Sequence, residues 1–151
     1  MKSILPLVVV GGLTLALAGC AAPALYKSRS DLVSDPAACT AKRFEVYFDQ
    51  DQARLTTAAR EAISLTATQL QGCNVTRVQV LGLADARSGT PAANQSLSER
   101  RARSVAEALA GAGLPPPAFE VAAAGADGAV VNGVNDPLRR RTEVVIEAAP
   151  R

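Results

Sequence analysis

The chain has 151 residues, with 16 lysine and arginine residues against 14 aspartate and glutamate residues, and it contains no histidine. This composition excludes histidine-based catalytic triads and histidine metal sites. The formal net charge of +2 gives no indication of a nucleic acid or an anionic membrane surface as the partner. Aromatic residues make up 3% of the chain, so the core of one compact domain must be built from aliphatic side chains.

The N-terminal segment has the pattern of a secretory signal. Lys2 precedes an apolar run over residues 4–18, and this run leads into Leu17-Ala18-Gly19-Cys20. Small residues that end in a cysteine resemble the lipobox of bacterial lipoproteins. The resemblance implies that residues 1–19 are cleaved off and that Cys20 carries the lipid. The alternative is a transmembrane anchor, but the run is short for a hydrocarbon core about 30 Å thick.

Residues 20–42 show no sustained periodicity, and we predict a lipidated cysteine followed by a flexible tether. With Cys20 assigned to lipid, Cys39 and Cys73 remain. Two thiols without an imidazole do not make a zinc site. Outside the cytoplasm disulfides persist, which favours a Cys39–Cys73 disulfide over a free buried pair.

The first half of the domain predicts a strand, a helix and a second strand. Phe44, Val46 and Phe48 alternate with polar residues, which is the period of a strand. Apolar side chains then recur at helical spacing from Leu55 to Leu70. Thr56 or Thr57 is the expected N-cap of this helix and Gly72 its stop. Alternation resumes over residues 78–82.

The second half predicts a helix and two more strands. The helix is expected to open near Asn94, because Ser96 and Glu99 have the spacing of a capping box, and to end at Gly111. Strands are predicted over residues 119–123 and 142–146. The long loop between them, residues 124–137, has room for a helical turn, and residues 148–151 are predicted to form a frayed tail.

This order, β-α-β-α-β-β, predicts an α/β fold in two layers. A small mixed sheet carries both helices on one face.

Arg101 is the polar residue that the helical pattern singles out. It lies four residues after Leu97 and four before Val105, so it belongs to the apolar face of the helix. Two interpretations stay open. In the first, the side chain packs its stem on the core and holds its charged end in water. In the second, it directs the guanidinium at a ligand carboxylate.

Asp85 follows the second strand at the start of a loop, where ligands collect in open α/β sheets. An aspartate and an arginine in one cleft can bind a zwitterion. The alternatives are that Asp85 is an ordinary loop acid or that it pairs with Arg101. Asp49 and Asp51 are interpreted as turn and cap residues, so no catalytic residue is predicted.

Residues 82–105 carry a recognisable signature. Gly-Leu-Ala-Asp at 82–85 and Asn-x-x-Leu-Ser-x-x-Arg-Ala at 94–102 resemble the motifs of the OmpA-like peptidoglycan-binding domain. Residues 140–144 are similar to the closing strand of that family, and the similarity covers about residues 43–147. Lipobox, tether and domain together resemble the peptidoglycan-associated lipoprotein class.

The resemblance implies a site for the diaminopimelate group of the peptidoglycan stem peptide, formed by Asp85, Asn94, Arg101 and Arg140. It implies no cofactor and no enzymatic activity. The implied partners are peptidoglycan, the membrane that holds the lipid, and envelope proteins. Ala21 is not acidic, which favours the outer membrane over retention at the inner membrane, with the domain facing the periplasm.

The chain departs from the family pattern at three places. Leu83 and Ala84 replace a histidine and a threonine, the loop over residues 85–97 is one residue longer, and Arg139 replaces an asparagine. Two functions therefore stay open. The first is a lipid-anchored protein that holds the cell wall, and the second is a periplasmic interaction or assembly lipoprotein whose wall site has been altered or lost.

Overall fold

A computed structural model of the protein describes residues 39–151. Six strands and two α-helices follow one another along the chain: β1 (Lys42–Tyr47), α1 (Thr57–Gln69), β2 (Asn74–Gly82), α2 (Pro91–Gly111), β3 (Phe119–Ala123), β4 (Val130–Val131), β5 (Val134–Asn135) and β6 (Arg141–Ala149). Four strands form one mixed sheet in the order β1-β6-β2-β3, while β4 and β5 form a separate hairpin. The predicted two-layer α/β fold is confirmed.

The pairing of the strands determines which loops meet. β6 pairs antiparallel with both β1 and β2, and β3 pairs parallel with β2. β1 and β2 therefore run in the same direction, opposite to β6. As a result, the residues after β1, the residues after β2 and the residues before β6 lie at one end of the sheet. Asp49, Asp85 and Arg140 occupy these three places.

The core lies between one face of the sheet and the two helices. Its buried side chains are mainly aliphatic, as the composition predicted, and Phe48 joins them. They come from both layers: Val46, Val78, Val80, Val144 and Ile146 from the strands, and Ile63, Ala102, Val105 and Leu109 from the helices. The opposite face of the sheet carries an ion pair between Arg77 and Glu120, at 2.8 Å. This division is typical of a sheet with one solvated face.

The two helices begin at threonine caps. Thr56 Oγ1 accepts a hydrogen bond from Ala59 N at 3.1 Å, which confirms Thr56 as the N-cap of α1. The predicted start of α2 near Asn94 is wrong. Thr90 is its N-cap, with Pro91 in the first helical position, where its missing N–H costs nothing. The Ser96–Glu99 spacing therefore lies inside the helix and is not a capping box.

Two predictions in the C-terminal part need correction. Residues 124–137 contain the β4–β5 hairpin, whose two-residue turn places Asn132 and Gly133 at φ angles of 52° and 77°. Such left-handed pairs suit the turn of a hairpin. The expected tail also starts too early, because β6 continues to Ala149 and pairs there with Asn74.

The predicted disulfide is present and joins Cys39 to Cys73, with 5.5 Å between their Cα atoms. Both cysteines are buried, so the predicted tether boundary at residue 42 lies inside the fold. The signal peptide, the lipid site at Cys20 and the tether up to residue 38 lie outside the described residues. Between residues 39 and 151, no helix has the length and apolar character needed to cross a bilayer.

Candidate functional site

Asp85 lies at the end of the sheet where the three loops meet, and its side chain is fully buried. Both carboxylate oxygens are engaged. Ser88 Oγ donates to Oδ1 at 2.7 Å, and Arg140 Nη1 donates to Oδ2 at 3.0 Å. The ion pair that Asp85 forms is therefore with Arg140, whose side chain is 29% exposed. The interpretation of Asp85 as an ordinary loop acid is wrong.

The charge state of Asp85 follows from two opposing effects. Burial raises the pKa of its carboxyl group, because a desolvated charge is unfavourable. Hydrogen bonds from Ser88, Arg140 and Asn135 stabilise the carboxylate and lower the pKa by more, so the net shift is downward. Asp85 is consequently an ionised carboxylate at neutral pH, buried next to an arginine.

Arg101 is also fully buried, and its guanidinium group is held by backbone carbonyls. Nε donates to the Gln52 carbonyl at 2.8 Å, Nη1 to the Leu83 carbonyl at 2.9 Å, and Nη2 to the Asp49 carbonyl at 3.1 Å. The guanidinium carbon lies 5.1 Å from the centre of the Phe48 ring, within the range of a cation–π contact. The expectation of a charged end held in water is wrong.

These contacts give Arg101 a structural role. Its side chain, carried by α2, ties together the loop after β1 and the residue that follows β2. Burial lowers the pKa of Arg101 to about 10, although the charge of Asp85 raises it, so the guanidinium stays cationic at neutral pH. Three of its five N–H groups donate to the three carbonyls, which leaves one N–H on each terminal nitrogen that these bonds do not use.

Asn94 lies in the first turn of α2 and is only 3% exposed. Its amide nitrogen donates weakly to the Gly89 carbonyl at 3.4 Å. Its Oδ1 atom is buried and has no hydrogen-bond partner among residues 39–151. A buried acceptor without a partner is uncommon and marks a place where a donor would be favourable. Asn94 also borders a cleft of about 450 Å³ between the Asp85 loop and residues 124–127.

Two of the positions that depart from the family pattern, Leu83 and Ala84, lie inside the fold. Leu83 and Ala84 are 1% and 0% exposed, so their apolar side chains do not border an open cleft. Their backbone atoms serve the site, because Leu83 O binds Arg101 and Ala84 N donates to Gly125 O at 2.7 Å. Arg139 bonds to the Asp127 carbonyl and does not contact Asp85.

Three residues of the site were not predicted from the sequence. Ser88 lies three residues after Asp85, a spacing at which side chains bond within a turn, and this signal was available. Asn135 accepts a hydrogen bond from Ala86 N at 2.8 Å across 49 residues of chain. Ser98 is buried on α2, and its Oγ accepts from Gly125 N at 3.0 Å. Ser98 belongs to the Asn-x-x-Leu-Ser-x-x-Arg-Ala signature at residues 94–102, whereas no local pattern marks Asn135.

The site brings charged groups of both signs together. It places one carboxylate beside two guanidinium groups, which matches a ligand that carries an ammonium and a carboxylate. In the part of the chain that the structure describes, no three histidine, cysteine or acidic side chains group closely enough to hold a metal ion. Asp51 has a φ angle of 56° in the turn after β1, as expected for a turn residue.

Residues 47–142 match the model of the OmpA family, and the chain belongs to this family. A protein described as an outer membrane protein of Gluconacetobacter diazotrophicus is 32% identical over 114 residues, which is 70% of this chain and 30% of that relative. The chain thus spans about a third of the length of the curated relative it matches.

Two solved structures are similar to the domain. The OmpA-like domain of FopA1 from Francisella tularensis is 26% identical, with a TM-score of 0.61, and the match covers 73% of each chain. The peptidoglycan-associated lipoprotein of Burkholderia pseudomallei is 26% identical, with a TM-score of 0.60, over 70% of this chain and 91% of that one.

Proposed function

We propose that this protein is a lipid-anchored lipoprotein of the outer membrane that binds peptidoglycan without forming a covalent bond. Membership of the OmpA family supports this function, as does the likeness to a peptidoglycan-associated lipoprotein. The observation that carries the proposal is Asp85, a buried and ionised carboxylate that lies between Ser88 and Arg140 at the end of β2.

The proposed ligand group is the diaminopimelate side-chain end, which presents an ammonium and a carboxylate on one carbon. The ammonium binds Asp85. The carboxylate binds the two remaining N–H groups of Arg101 together with Arg140, and the unpartnered Oδ1 of Asn94 accepts from a ligand N–H. Asp85 and Arg101 are fully buried, so entry of the ligand requires Arg140 and the loop after Asp85 to move aside.

The proposed mechanism is tethering and involves neither a cofactor nor a reaction. The lipid on Cys20 holds one end of the chain in the outer membrane, and the domain in the periplasm holds the wall. Each charge-assisted contact contributes on the order of 1.5–3 kcal/mol, so the affinity of one site is modest. Many anchored copies that face one polymer raise the effective concentration and make the attachment stable.

Sedimentation with purified sacculi tests this function. Residues 21–151 should sediment with sacculi that contain diaminopimelate, and free diaminopimelate should release the protein. Sacculi with lysine at the same position are the matched control, because lysine lacks the side-chain carboxylate. Equal binding to both kinds of sacculi would contradict the proposed ligand, and binding to neither would contradict the function.

The second candidate function is a periplasmic protein-interaction or assembly module. Exposed apolar side chains in one short segment favour it. Val130, Val131, Val134 and Leu138, in the β4–β5 hairpin and the turn that follows, are each more than half exposed. Val131 and Val134 lie opposite each other across the hairpin, and neighbouring exposed apolar side chains are typical of interaction sites. Failure to bind sacculi, together with recovery of a defined envelope protein that Val131→Asp no longer binds, would favour this alternative.

A further inference from the structure

The disulfide joins two strands that differ in how firmly the sheet holds them. Cys39 precedes β1, an edge strand that is bonded only to β6 within the sheet. Cys73 precedes β2, an interior strand with β6 on one side and β3 on the other. The bond therefore connects the residue before the edge strand directly to an interior strand of the sheet.

The disulfide and the candidate site lie at opposite ends of this strand. β2 begins one residue after Cys73, and Asp85 follows its last residue by three. A strand of nine residues is roughly 30 Å long. The membrane tether thus enters at one end of the domain, and the group proposed to hold the wall lies at the other.

We infer that the Cys39–Cys73 disulfide carries the mechanical load between membrane and cell wall, an inference that rests on the proposed function. Tension from the lipid reaches Cys39, crosses the disulfide to Cys73 and continues along the β2 backbone to Asp85. Every link in this path is covalent. The segment between the two cysteines, residues 40–72, includes β1 and α1; it is bypassed and carries no tension.

Without the disulfide, the same tension would enter β1 and pass through its hydrogen bonds to β6. That ladder extends over six residue pairs, from Lys42 to Tyr47. If it yields and α1 unfolds after it, residues 40–72 can extend by up to about 120 Å. The first turn beyond β1 would be displaced as well, and its Asp49 and Gln52 carbonyls hold Arg101. The disulfide therefore shields the candidate site from the load that the protein is proposed to bear.

Magnetic tweezers can test this load path with the protein attached through the thiol of Cys20, the position of the lipid. The comparison is between the parent and the double variant Cys39→Ser/Cys73→Ser, each bound to surface-fixed sacculi. Without load, both should bind equally. Under constant force, the variant should first extend by about 120 Å. Its bound lifetime should then be at least roughly tenfold shorter than that of the parent, which corresponds to a detachment barrier lower by about 1.4 kcal/mol.

Equal lifetimes under force, or detachment of the variant without prior extension, would overturn the inference. If the variant does not fold, thiol reductant added to the folded, attached parent provides the same comparison. If neither protein binds sacculi, the proposed function fails, and the load path is tested separately with a second handle at the exposed position 87. Pulled between Cys20 and position 87, the oxidised parent should show no 120 Å step and the variant should show one.

Discussion

Replacement of Arg101 by alanine should destabilise the domain more than any surface substitution. The change removes the guanidinium donor from three backbone carbonyls, those of Asp49, Gln52 and Leu83. The Asp49 carbonyl still accepts from Gln52 N at 3.2 Å. Three charge-assisted hydrogen bonds at about 1.5–3 kcal/mol each amount to roughly 5–9 kcal/mol. Removal of the buried cation also removes its desolvation penalty, which is several kcal/mol. The free energy of unfolding should therefore fall by about 3–5 kcal/mol in total.

Denaturant and thermal unfolding of residues 21–151 measure this loss, with the disulfide intact. For a domain of this size the melting temperature should fall by about 4 °C per kcal/mol, or roughly 12–20 °C in total. Arg100→Ala is the matched control. Arg100 is exposed, and within residues 39–151 its side chain donates a hydrogen bond to Ser96 Oγ. The unfolding free energy of Arg100→Ala should therefore stay within about 0.5 kcal/mol of the parent value. A loss below 1 kcal/mol for Arg101→Ala would refute the structural role of the guanidinium group.

Three further predictions concern packing, pH and processing. Gly82→Ala should lower the unfolding free energy by about 1–3 kcal/mol or more, because the added Cβ would lie 2.0 Å from the Ser98 carbonyl oxygen. Gly111→Ala is the control: its Cβ meets no atom within 4 Å, so the unfolding free energy should rise by up to about 1 kcal/mol. The lowered pKa of Asp85 contributes stability that is present above the unfolded-state pKa of about 3.9 and is lost as the pH falls through the folded-state value. Asp85→Asn should therefore flatten the decline in stability below about pH 4, as urea unfolding at several pH values can measure. Cys20→Ser should accumulate as an unprocessed precursor, and normal cleavage of this variant in mass spectrometry would contradict the lipoprotein assignment.

Local patterns were sufficient to predict most of the fold. The alternation of Val78 and Val80, and the helical spacing of Leu97, Arg101 and Val105, each depend on neighbours within one strand or helix. The predicted start of α2 was wrong because the sequence contains two competing N-terminal signals. The helix begins at the Thr90-Pro91 pair and not at the later capping-box spacing. The β4–β5 hairpin was missed because its strands have only two residues each, too few for a period to show.

The candidate site could be located from the sequence but its contacts could not be predicted. Helical spacing placed Arg101 on the buried face, which is correct. The carbonyls that bind it are 18 to 52 residues away in the chain, and they reach it only after the sheet has assembled. The sequence could not identify the partner of Asp85 for the same reason. Arg140 is 55 residues away in the chain, and the antiparallel pairing of β6 with β2 brings it to Asp85.

The affinity of Asp85→Asn for diaminopimelate-containing sacculi tests the central proposal most directly. The substitution keeps the shape of the side chain and removes the charge that would bind the ligand ammonium. Glu120→Gln is the matched control, since it makes the same change in an exposed ion pair on the outer face of the sheet. Binding should weaken by about 10- to 150-fold for Asp85→Asn, the equivalent of about 1.5–3 kcal/mol, and stay unchanged for Glu120→Gln. A folded Asp85→Asn protein that binds sacculi as tightly as the parent would contradict the proposed site.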